Sequence, residues 1–483
     1  MEIILISIYA ICMLFIMVFS LVQLHLAFMY KKARNNKSED ATQSIIRTEF
    51  PVVTIQLPLY NEKYVAERLL DSVAEIEWPN ESIEIQILDD STDETANIIQ
   101  KKISEEKFKD LDILHIRRKN RIGFKAGALQ VGLKASRGEF VAIFDADFMP
   151  HKTFLLETIR EFDDSKVGMV QTKWEHLNKN FSLLTKLQAF GLNGHFRVEQ
   201  TGRSKAGSFI NFNGTGGIWR KSCILEAGGW QADTLTEDLD LSYRAQMKGW
   251  KFKYLEDVLS PSELPVIMSA VKSQQFRWTK GGAETAKKNL GKVLRANLKF
   301  TNKIHAFFHL TNSANFLLLL IASIISIPLL YVKYKNPEFK LFFDFGSIFL
   351  IGFLAISYFY WIANRFETES SKKGYFKYFP LFIVFSMGFT LNNSLAVIEG
   401  LMGLKTQFVR TPKFNIIGMN GSWKNNIYLN NKLTWTTLLE GLLSIYFFAG
   451  IVIGFAIGDY GLLLFHLMLA MGYAGIFYYS IKH

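Results

Sequence analysis

Residues 83–95 read IEIQILDDSTDET, a strand-like apolar run that ends on two aspartates. Continuous apolar runs of this length are typical of strands buried inside a parallel sheet. Two more runs have the same form, VVTIQL at 52–57 and VAIFDAD at 141–147, and residues 63–76 between the first two follow a helical period. This alternation of strands and helices predicts an α/β domain with a mainly parallel sheet and right-handed crossovers.

Acidic side chains end two of these predicted strands. Asp89 and Asp90 close one run, and Asp145 and Asp147 close another. A single aspartate there is often only a helix cap or turn former, but parallel sheets bind ligands beyond these strand ends, so two acidic ends favour a site. Alternation along Asp145-Ala-Asp147 directs both carboxylates to one side. They could hold a hard divalent cation, Mg²⁺ or Mn²⁺, with diphosphate oxygens completing its shell.

The apolar residues are concentrated in a few uncharged runs. Of the 483 residues 49% are hydrophobic and 20% are charged, with a formal net charge of +11 and two cysteines. This composition excludes a disordered chain and a disulfide scaffold. Residues 3–30 are long enough to cross a bilayer, whereas a cleaved signal peptide, the alternative, is shorter and follows positive charge. Comparable runs follow at 312–332, 345–364, 437–458 and 460–481.

The charge distribution predicts how the chain is organised. Lys31, Lys32 and Arg34 follow the first run, so the next segment is expected in the cytoplasm. The predicted parts are an N-terminal transmembrane helix (1–31), a cytoplasmic domain (45–270), basic interfacial helices on anionic headgroups (271–310) and a C-terminal transmembrane region (311–483).

One apolar run in the C-terminal region is ambiguous. Residues 378–403 are amphipathic in their second half and lead into a basic loop at 404–432. Because basic loops favour the cytoplasmic side, we predict an interfacial or re-entrant helix here and five true spans.

Four ordered motifs carry a resemblance to a known family. They are Asp89-Asp90, Asp145-Ala-Asp147, Thr236-Glu237-Asp238 and Gln274-Gln-Phe-Arg277-Trp278. The set resembles the D, DxD, TED and QxxRW pattern of processive family 2 glycosyltransferases, the cellulose synthase superfamily. QLPLYNE (56–62) and FNGTGGIWR (212–220) are similar to its cellulose synthase-like branch, which makes mannan, glucomannan or xyloglucan backbones. The resemblance covers about residues 50–290. It implies a GT-A type fold, with a mixed, mainly parallel sheet flanked by helices, in the plasma (inner) membrane.

The reaction implied is inverting transfer of a hexose from a nucleotide-diphosphate sugar to a growing β-linked polysaccharide, which the protein would also translocate. Asp238 is the candidate general base, with Glu237 orienting it; a helix cap is the alternative role for Asp238. A metal held by Asp145 and Asp147, mainly by Asp147, would act as a Lewis acid. Arg277 would bind the diphosphate, with headgroup contact as its alternative.

The remaining roles also come from the resemblance. Donor contacts are implied for Tyr60, Glu62, Asp89, Asp90, Lys125, Asp145 and Arg277. Acceptor contacts are implied for Asn213, Gly214, Thr215, Gln274 and Trp278. Residues 408–413, FVRTPK, are similar to the gating-loop pattern FxVTxK, so Phe408, Thr411 and Lys413 are expected to cover the donor, although Arg410 departs from the pattern. Asp240 is expected on a helix surface.

Several alternatives stay open from the sequence. UDP-glucose is the favoured donor and GDP-mannose the other candidate. A lipid glycosyltransferase that adds one sugar to ceramide or diacylglycerol carries a similar motif set, and a non-enzymatic scaffold is a further alternative. Expected partners are the nucleotide sugar, the polysaccharide or glycolipid acceptor, the bilayer and accessory secretion subunits. No base-reading motif supports a nucleic-acid partner.

Overall fold

The computed structural model describes residues 1–35, 50–365, 372–406, 409–419, 421, 426–428 and 434–482. Its strands are β1 (Val53–Leu59), β2 (Ile83–Asp89), β3 (Ile113–Arg117), β4 (Phe140–Ile143), β5 (Val167–His176), β6 (Gly217–Arg220) and β7 (Lys251–Ser262). They form one sheet in the order β3-β2-β1-β4-β6-β5-β7. Only β6 runs antiparallel to its neighbours among these strands, which confirms the predicted mixed, mainly parallel sheet.

Helices flank this sheet and, with the connecting loops, form most of the rest of the described chain. In chain order they are α1 (Glu2–Asn35), α2 (Ala66–Ala74), α3 (Thr95–Ile103), α4 (Phe124–Ala135), α5 (Phe154–Ile159), α6 (Leu183–Asn193), α7 (Gln200–Lys205), α8 (Lys221–Glu226), α9 (Glu237–Met247), α10 (Met268–Arg295), α11 (Phe300–Leu310), α12 (Ala314–Lys335), α13 (Lys340–Phe345), α14 (Leu350–Asn364), α15 (Lys372–Gly388), α16 (Thr390–Met402), α17 (Trp435–Ile457) and α18 (Leu463–Lys482).

Apolar side chains cover both faces of the sheet, because strand residues alternate between the faces. Ile55 and Leu57 of β1 belong to a buried cluster on one face that includes α2, α3 and α5. On the other face, Val141, Ile143 and Trp219 pack against α4, α8 and α9. The sheet is therefore a rigid support for whatever lies at its edge.

The strand register brings the predicted site segments to one edge. Leu59 at the end of β1 pairs with Asp89 at the end of β2. Gln56 of β1 pairs with Ile143, the last residue of β4. The segments that follow β1, β2 and β4 therefore leave the sheet side by side, as expected for parallel strands.

Five stretches are long and apolar enough to cross a bilayer: α1, α12, Pro337–Asn364, α17 and α18. They correspond to the five predicted spans. The ambiguous run forms α15 and α16, which meet at a bend of 48°, so the pair is either one broken span or a re-entrant loop. Glycines allow close packing of α15 on α18, since a Cβ on Gly472 would lie 2.4 Å from the Val384 carbonyl oxygen.

The basic run on α10 does not lie wholly on a surface. Lys280 is completely buried, and its Nζ donates to Glu399 (3.0 Å), Leu404 O (2.6 Å) and Thr406 (2.8 Å). Lys272 Nζ lies 2.8 Å from Glu440 of α17. The predicted headgroup contact is therefore wrong for Lys272 and Lys280, which instead fasten α10 to α16 and α17.

The Lys272–Glu440 pair yields a stability prediction. Glu440→Met should lower the free energy of unfolding by about 3 kcal/mol, because it leaves a buried ammonium group uncompensated. The double variant Lys272→Met/Glu440→Met should recover most of this loss, since it buries no charge. Thermal unfolding in detergent measures both changes; a double variant as unstable as the single one would contradict the assignment.

Candidate active site

A cavity of about 120 Å³ lies at the sheet edge where β1, β2 and β4 end, and we call it the central cavity. It is lined by Pro58, Leu59, Tyr60, Glu62, Leu88, Asp90, Arg121, Lys125, Ala128, Asp145, Ala146, Asp147, Arg277, Arg410, Thr411 and Lys413. Three of the four motifs therefore contribute to the lining of the central cavity, and only the Thr236-Glu237-Asp238 motif does not. Most of the predicted donor and metal residues are among them.

The segment after β1 has a constrained backbone that presents Tyr60 and Glu62 to the central cavity. Asn61 between them adopts a φ of 55°, in the left-handed region that asparagine tolerates better than most residues. Its N–H donates to Ser91 Oγ (2.9 Å), and its Oδ1 accepts from the Thr92 N–H (2.9 Å). These bonds tie the end of β1 to the end of β2.

Only one of the two aspartates after β2 lines the central cavity. Asp89 is buried and accepts from the Ser91 N–H (2.8 Å) and from His115 Nε2 (3.1 Å). Burial raises the pKa of Asp89, but these hydrogen bonds outweigh it and lower the pKa overall. Asp89 thus fixes the turn and Asp90 lines the cavity, while a donor contact of Asp89 stays a prediction.

Two arginines that the motifs did not indicate lie near Asp90 and Tyr60 at the central cavity. Arg118 grips Asp90 with two nitrogens, of which Nε lies 2.8 Å from Oδ1. The Arg121 guanidinium lies 3.3 Å from the centre of the Tyr60 ring, a cation–π contact. A sequence feature that could have indicated these arginines is the basic run RRKNR at 117–121, which lies shortly before the predicted donor residue Lys125.

Each carboxylate of the DxD motif faces a lysine. Asp145 Oδ1 lies 2.5 Å from Lys125 Nζ, and Asp147 Oδ2 lies 2.8 Å from Lys413 Nζ. The Asp145 N–H donates to Thr215 Oγ1 (2.9 Å). Thr215 is buried, and in the structure its hydroxyl contacts the backbone of the DxD motif.

The TED motif begins α9 beside the central cavity without lining it. Asp238 Oδ1 accepts from the Leu239 N–H (2.8 Å). Burial and the neighbouring Glu237 carboxylate raise the pKa of Asp238 to about 7. Burial also raises the pKa of Glu237, opposed by Lys125. A Cβ on Gly214 would lie 3.1 Å from Asp238 Oδ2, so this glycine, at a φ of 80°, permits the close approach.

Asp240 corrects an expectation, because it lies in the interior and not on the helix surface. Its side chain has no exposed area and contacts Arg244 Nε (2.8 Å), Lys288 Nζ (3.0 Å) and Asn289 Nδ2 (2.8 Å). Lys288 therefore also faces the protein. Since Lys288 and Asn289 belong to α10, Asp240 fixes the TED helix against the helix that carries QxxRW.

The QxxRW helix α10 contributes one residue to the central cavity. Arg277 lines it, and its NH2 donates to Thr411 Oγ1 (3.0 Å). Burial lowers the pKa of Arg277, against the attraction of Asp145 and Glu237. This position is inconsistent with headgroup contact. Gln274 and Trp278 lie on the same helix face by their spacing and are half-buried, but they do not line the cavity.

Residues 409–417 border the central cavity through Arg410, Thr411 and Lys413, and we call them the closing segment. Arg410 Nε donates to Glu62 Oε1 (2.7 Å), and Thr411 and Lys413 reach Arg277 and Asp147. Glu263 accepts from the N–H groups of 414 and 415, each at 2.9 Å. At about 120 Å³, the central cavity is smaller than most ligand pockets, which measure ~300–1,000 Å³. Phe408 lies outside the described residues.

Comparisons with known proteins agree with this arrangement. Residues 51–281 match the model of "Glycosyltransferase like family 2". The chain is 41% identical over 276 residues to a probable glucomannan 4-beta-mannosyltransferase 4 of Oryza sativa subsp. japonica, covering 56% of this chain and 50% of the relative. It is 41% identical over 268 residues to glucomannan 4-beta-mannosyltransferase 7 of Arabidopsis thaliana, covering 54% and 48%. The chain thus spans about half the length of the curated relatives it matches.

One solved structure has a related overall fold. A mannosyltransferase from Pyrobaculum calidifontis, determined in complex with GDP-Man and Mn²⁺, superposes with a TM-score of 0.55 at 19% identity. The match covers 83% of this chain and 100% of that one. It supports the GT-A type fold predicted from the motifs. Residues 51–281 thus match glycosyltransferase family 2, the family that the motifs resemble, and about half of the chain is similar to plant glucomannan mannosyltransferases.

Proposed function

We propose that this protein transfers mannose from GDP-mannose to the end of a growing β-linked polysaccharide, with inversion at the sugar carbon. The observation that carries the proposal is the central cavity, where Asp90, Asp147 and Arg277 from distant parts of the chain meet. The names of the plant relatives favour mannose over glucose as the transferred sugar. GDP-mannose therefore replaces UDP-glucose, which was the favoured donor at the level of the sequence.

Asp238 is proposed to remove the proton from the attacking hydroxyl. Its raised pKa makes it a stronger base than an exposed aspartate, and it becomes the charged form near neutral pH. Glu237 shares its buried setting and raises that pKa through like-charge repulsion. Lys125 Nζ donates to Gly214 O (2.8 Å), so it fixes the backbone beside Asp238.

Cationic groups are proposed to stabilise the departing diphosphate. Arg277 and Lys125 line the central cavity from one side, and Lys413 lines it from the closing segment. Positive charges fixed in a site of restricted water access stabilise developing negative charge strongly. Arg121 over Tyr60 is proposed to border the base and ribose, with Asp90 and Glu62 beside them.

The DxD carboxylates fit a divalent metal. Asp145 and Asp147 both line the central cavity, and each is neutralised there by a lysine, so the position already accommodates positive charge. The described residues include no cluster of three acidic, histidine or cysteine ligands, so Mg²⁺ or Mn²⁺ at Asp145 and Asp147 would need phosphate oxygens or water to complete its shell. When bound, the metal would supply Lewis-acid stabilisation of the diphosphate.

Metal removal tests this assignment. Treatment with EDTA should reduce transfer by at least about 100-fold, and added Mn²⁺ or Mg²⁺ should restore it. Asp147→Asn should raise the metal concentration needed for half-maximal rate, whereas Asp110→Asn on the exposed surface should not. Full transfer in excess EDTA would contradict the metal proposal.

The pH dependence of transfer should report the proposed base. Below pH 7 Asp238 becomes neutral and cannot accept a proton, so the rate should fall about tenfold per unit of pH on the acid side. Glu263 is a necessary control, because burial raises its pKa to about 7 as well. Glu263→Gln should keep the acid limb; its loss in that variant would contradict the assignment to Asp238.

The apolar helices are proposed to place this reaction at the cytoplasmic face of the plasma membrane and to guide the product across. Lys31 and Lys32 at the end of α1 support that orientation. One direct link between the two regions is α10, which carries Arg277 and is fastened to α16 and α17 through Lys280 and Lys272.

A donor panel tests the proposed activity. Membranes containing the protein should incorporate label from GDP-mannose, and not from UDP-glucose, into a ladder of oligosaccharides. A β-mannanase should degrade that product. Labelling from UDP-glucose alone would overturn the donor assignment, and a single one-sugar lipid product would overturn the polysaccharide assignment.

A further inference from the structure

Polar side chains form a connected row from Asn213, the residue before Gly214, through His195 to Glu199. Helix α6 continues into a π-helical turn, Gly194–Glu199, and such turns often occur at functional sites because they redirect side chains. His195 of this turn has Nδ1 2.9 Å from Glu199 Oε2 and Nε2 2.8 Å from Asn213 Oδ1.

Both partners of His195 are hydrogen-bond acceptors. A carboxylate oxygen and an amide carbonyl oxygen cannot donate, so in each contact the ring nitrogen is the group that donates. Glu199 is further held by Arg203, whose NH2 lies 3.5 Å from the same carboxylate oxygen. His195 is thus anchored on one side and donates to Asn213 on the other.

Asn213 is held in one orientation with its donor group free. Its Oδ1 accepts from His195 and from Asn211 Nδ2 (2.9 Å), and its backbone N–H donates to Gln171 Oε1 (2.9 Å). Its Nδ2 is buried and has no hydrogen-bond partner among the described residues. A buried donor without a partner costs free energy that a ligand oxygen would recover.

The unpartnered Nδ2 of Asn213 belongs to a segment that lies close to the proposed base, Asp238. The next residue, Gly214, is the one whose Cβ would lie 3.1 Å from Asp238 Oδ2. We propose that His195 is a positioning residue, which with Glu199 orients Asn213 so that its side-chain N–H donates to a hydroxyl of the acceptor sugar next to Asp238. This inference rests on the proposed function and assigns its acceptor contact.

The test separates acceptor binding from donor binding. His195→Phe keeps a ring of similar size but removes both donors, so the KM for a β-1,4-linked mannooligosaccharide should rise about tenfold. The Kd of GDP-mannose should change less than about twofold, because the donor residues are untouched. His195→Gln, which can still donate to Asn213, should recover part of the acceptor affinity.

A double-mutant cycle decides whether His195 acts through Asn213. The variant His195→Phe/Asn213→Ala should bind acceptor no more weakly than Asn213→Ala alone, since coupled residues are not additive. Additive losses, an unchanged acceptor KM in His195→Phe, or an equal rise in the GDP-mannose Kd would overturn the inference. If His195→Phe does not fold, as judged by gel filtration, His195→Gln and Asn213→Ala supply the cycle. A wild-type protein that transfers no mannose would overturn the proposed function instead.

Discussion

Asp238→Asn is expected to reduce mannosyl transfer by about 10³-fold while leaving the protein folded. Asparagine has the same shape and can still accept from the Leu239 N–H, but it cannot take a proton. The fold should persist because α9 is fixed through Asp240 to Lys288 and Asn289, which this variant does not alter. Initial rates with labelled GDP-mannose measure the effect.

The controls for Asp238→Asn address binding and stability. The Kd of GDP should stay close to the wild-type value, because Asp238 does not line the central cavity. Thermal unfolding should shift little or upward, since the variant removes a charge that burial and Glu237 disfavour. Turnover equal to the wild type would remove the base assignment and leave Asp238 as a structural residue of α9.

Arg277→Ala is expected to lower kcat by about 100-fold and to weaken GDP binding. The guanidinium lies in the central cavity and also donates to Thr411, so its loss removes both a charge on the diphosphate and a contact that holds the closing segment. Arg277→Lys should be intermediate, because it keeps the charge but not the two-pronged geometry.

Arg295 provides the matched control for Arg277. It lies on the same helix α10 but is exposed near the end of that helix. Arg295→Ala should therefore leave kcat and GDP affinity unchanged. If instead Arg277→Ala alters only the dependence of activity on anionic lipid, the residue contacts headgroups and its proposed catalytic role is wrong.

The sequence predicted the sheet and the motif positions because both depend on local patterns. Apolar runs identified β1, β2 and β4, the last two of which lead into aspartates, and parallel strands bring such ends together. The short strand β6 was not predicted, because its four residues, GIWR, begin with glycine and end with arginine and so form no continuous apolar run.

Roles that depend on distant partners could not be predicted. Asp89 and Asp90 are adjacent in the chain, and only the presence of His115 and Arg118 on neighbouring segments decides which one enters the central cavity. Lys280 was assigned to a membrane surface by charge alone, whereas Glu399, 119 residues away in sequence, provides its buried partner. Pairings between residues this far apart in sequence cannot be predicted from local sequence patterns.

Arg410 departs from the gating-loop pattern FxVTxK, and its contacts in the structure explain why an arginine is present there. Its guanidinium pairs with Glu62 and lies 4.6 Å from the centre of the Tyr428 ring. Glu62 is buried at the cavity wall, which raises its pKa despite the neighbouring arginine. An arginine at this position therefore compensates a buried acid and holds the closing segment against β1.

A cryo-EM structure of the full chain in lipid nanodiscs, with GDP and Mn²⁺, would test directly whether the central cavity, where Asp90, Asp147 and Arg277 meet, is the donor site. The diphosphate should lie between Arg277 and Lys125, with the metal between it and Asp147, and residues 409–417 should have moved away from their contact with Asp147. Guanine should lie beside Tyr60 and Asp90. Nucleotide density at any other surface, with Asp147 still paired to Lys413, would contradict the assignment of this cavity as the donor site.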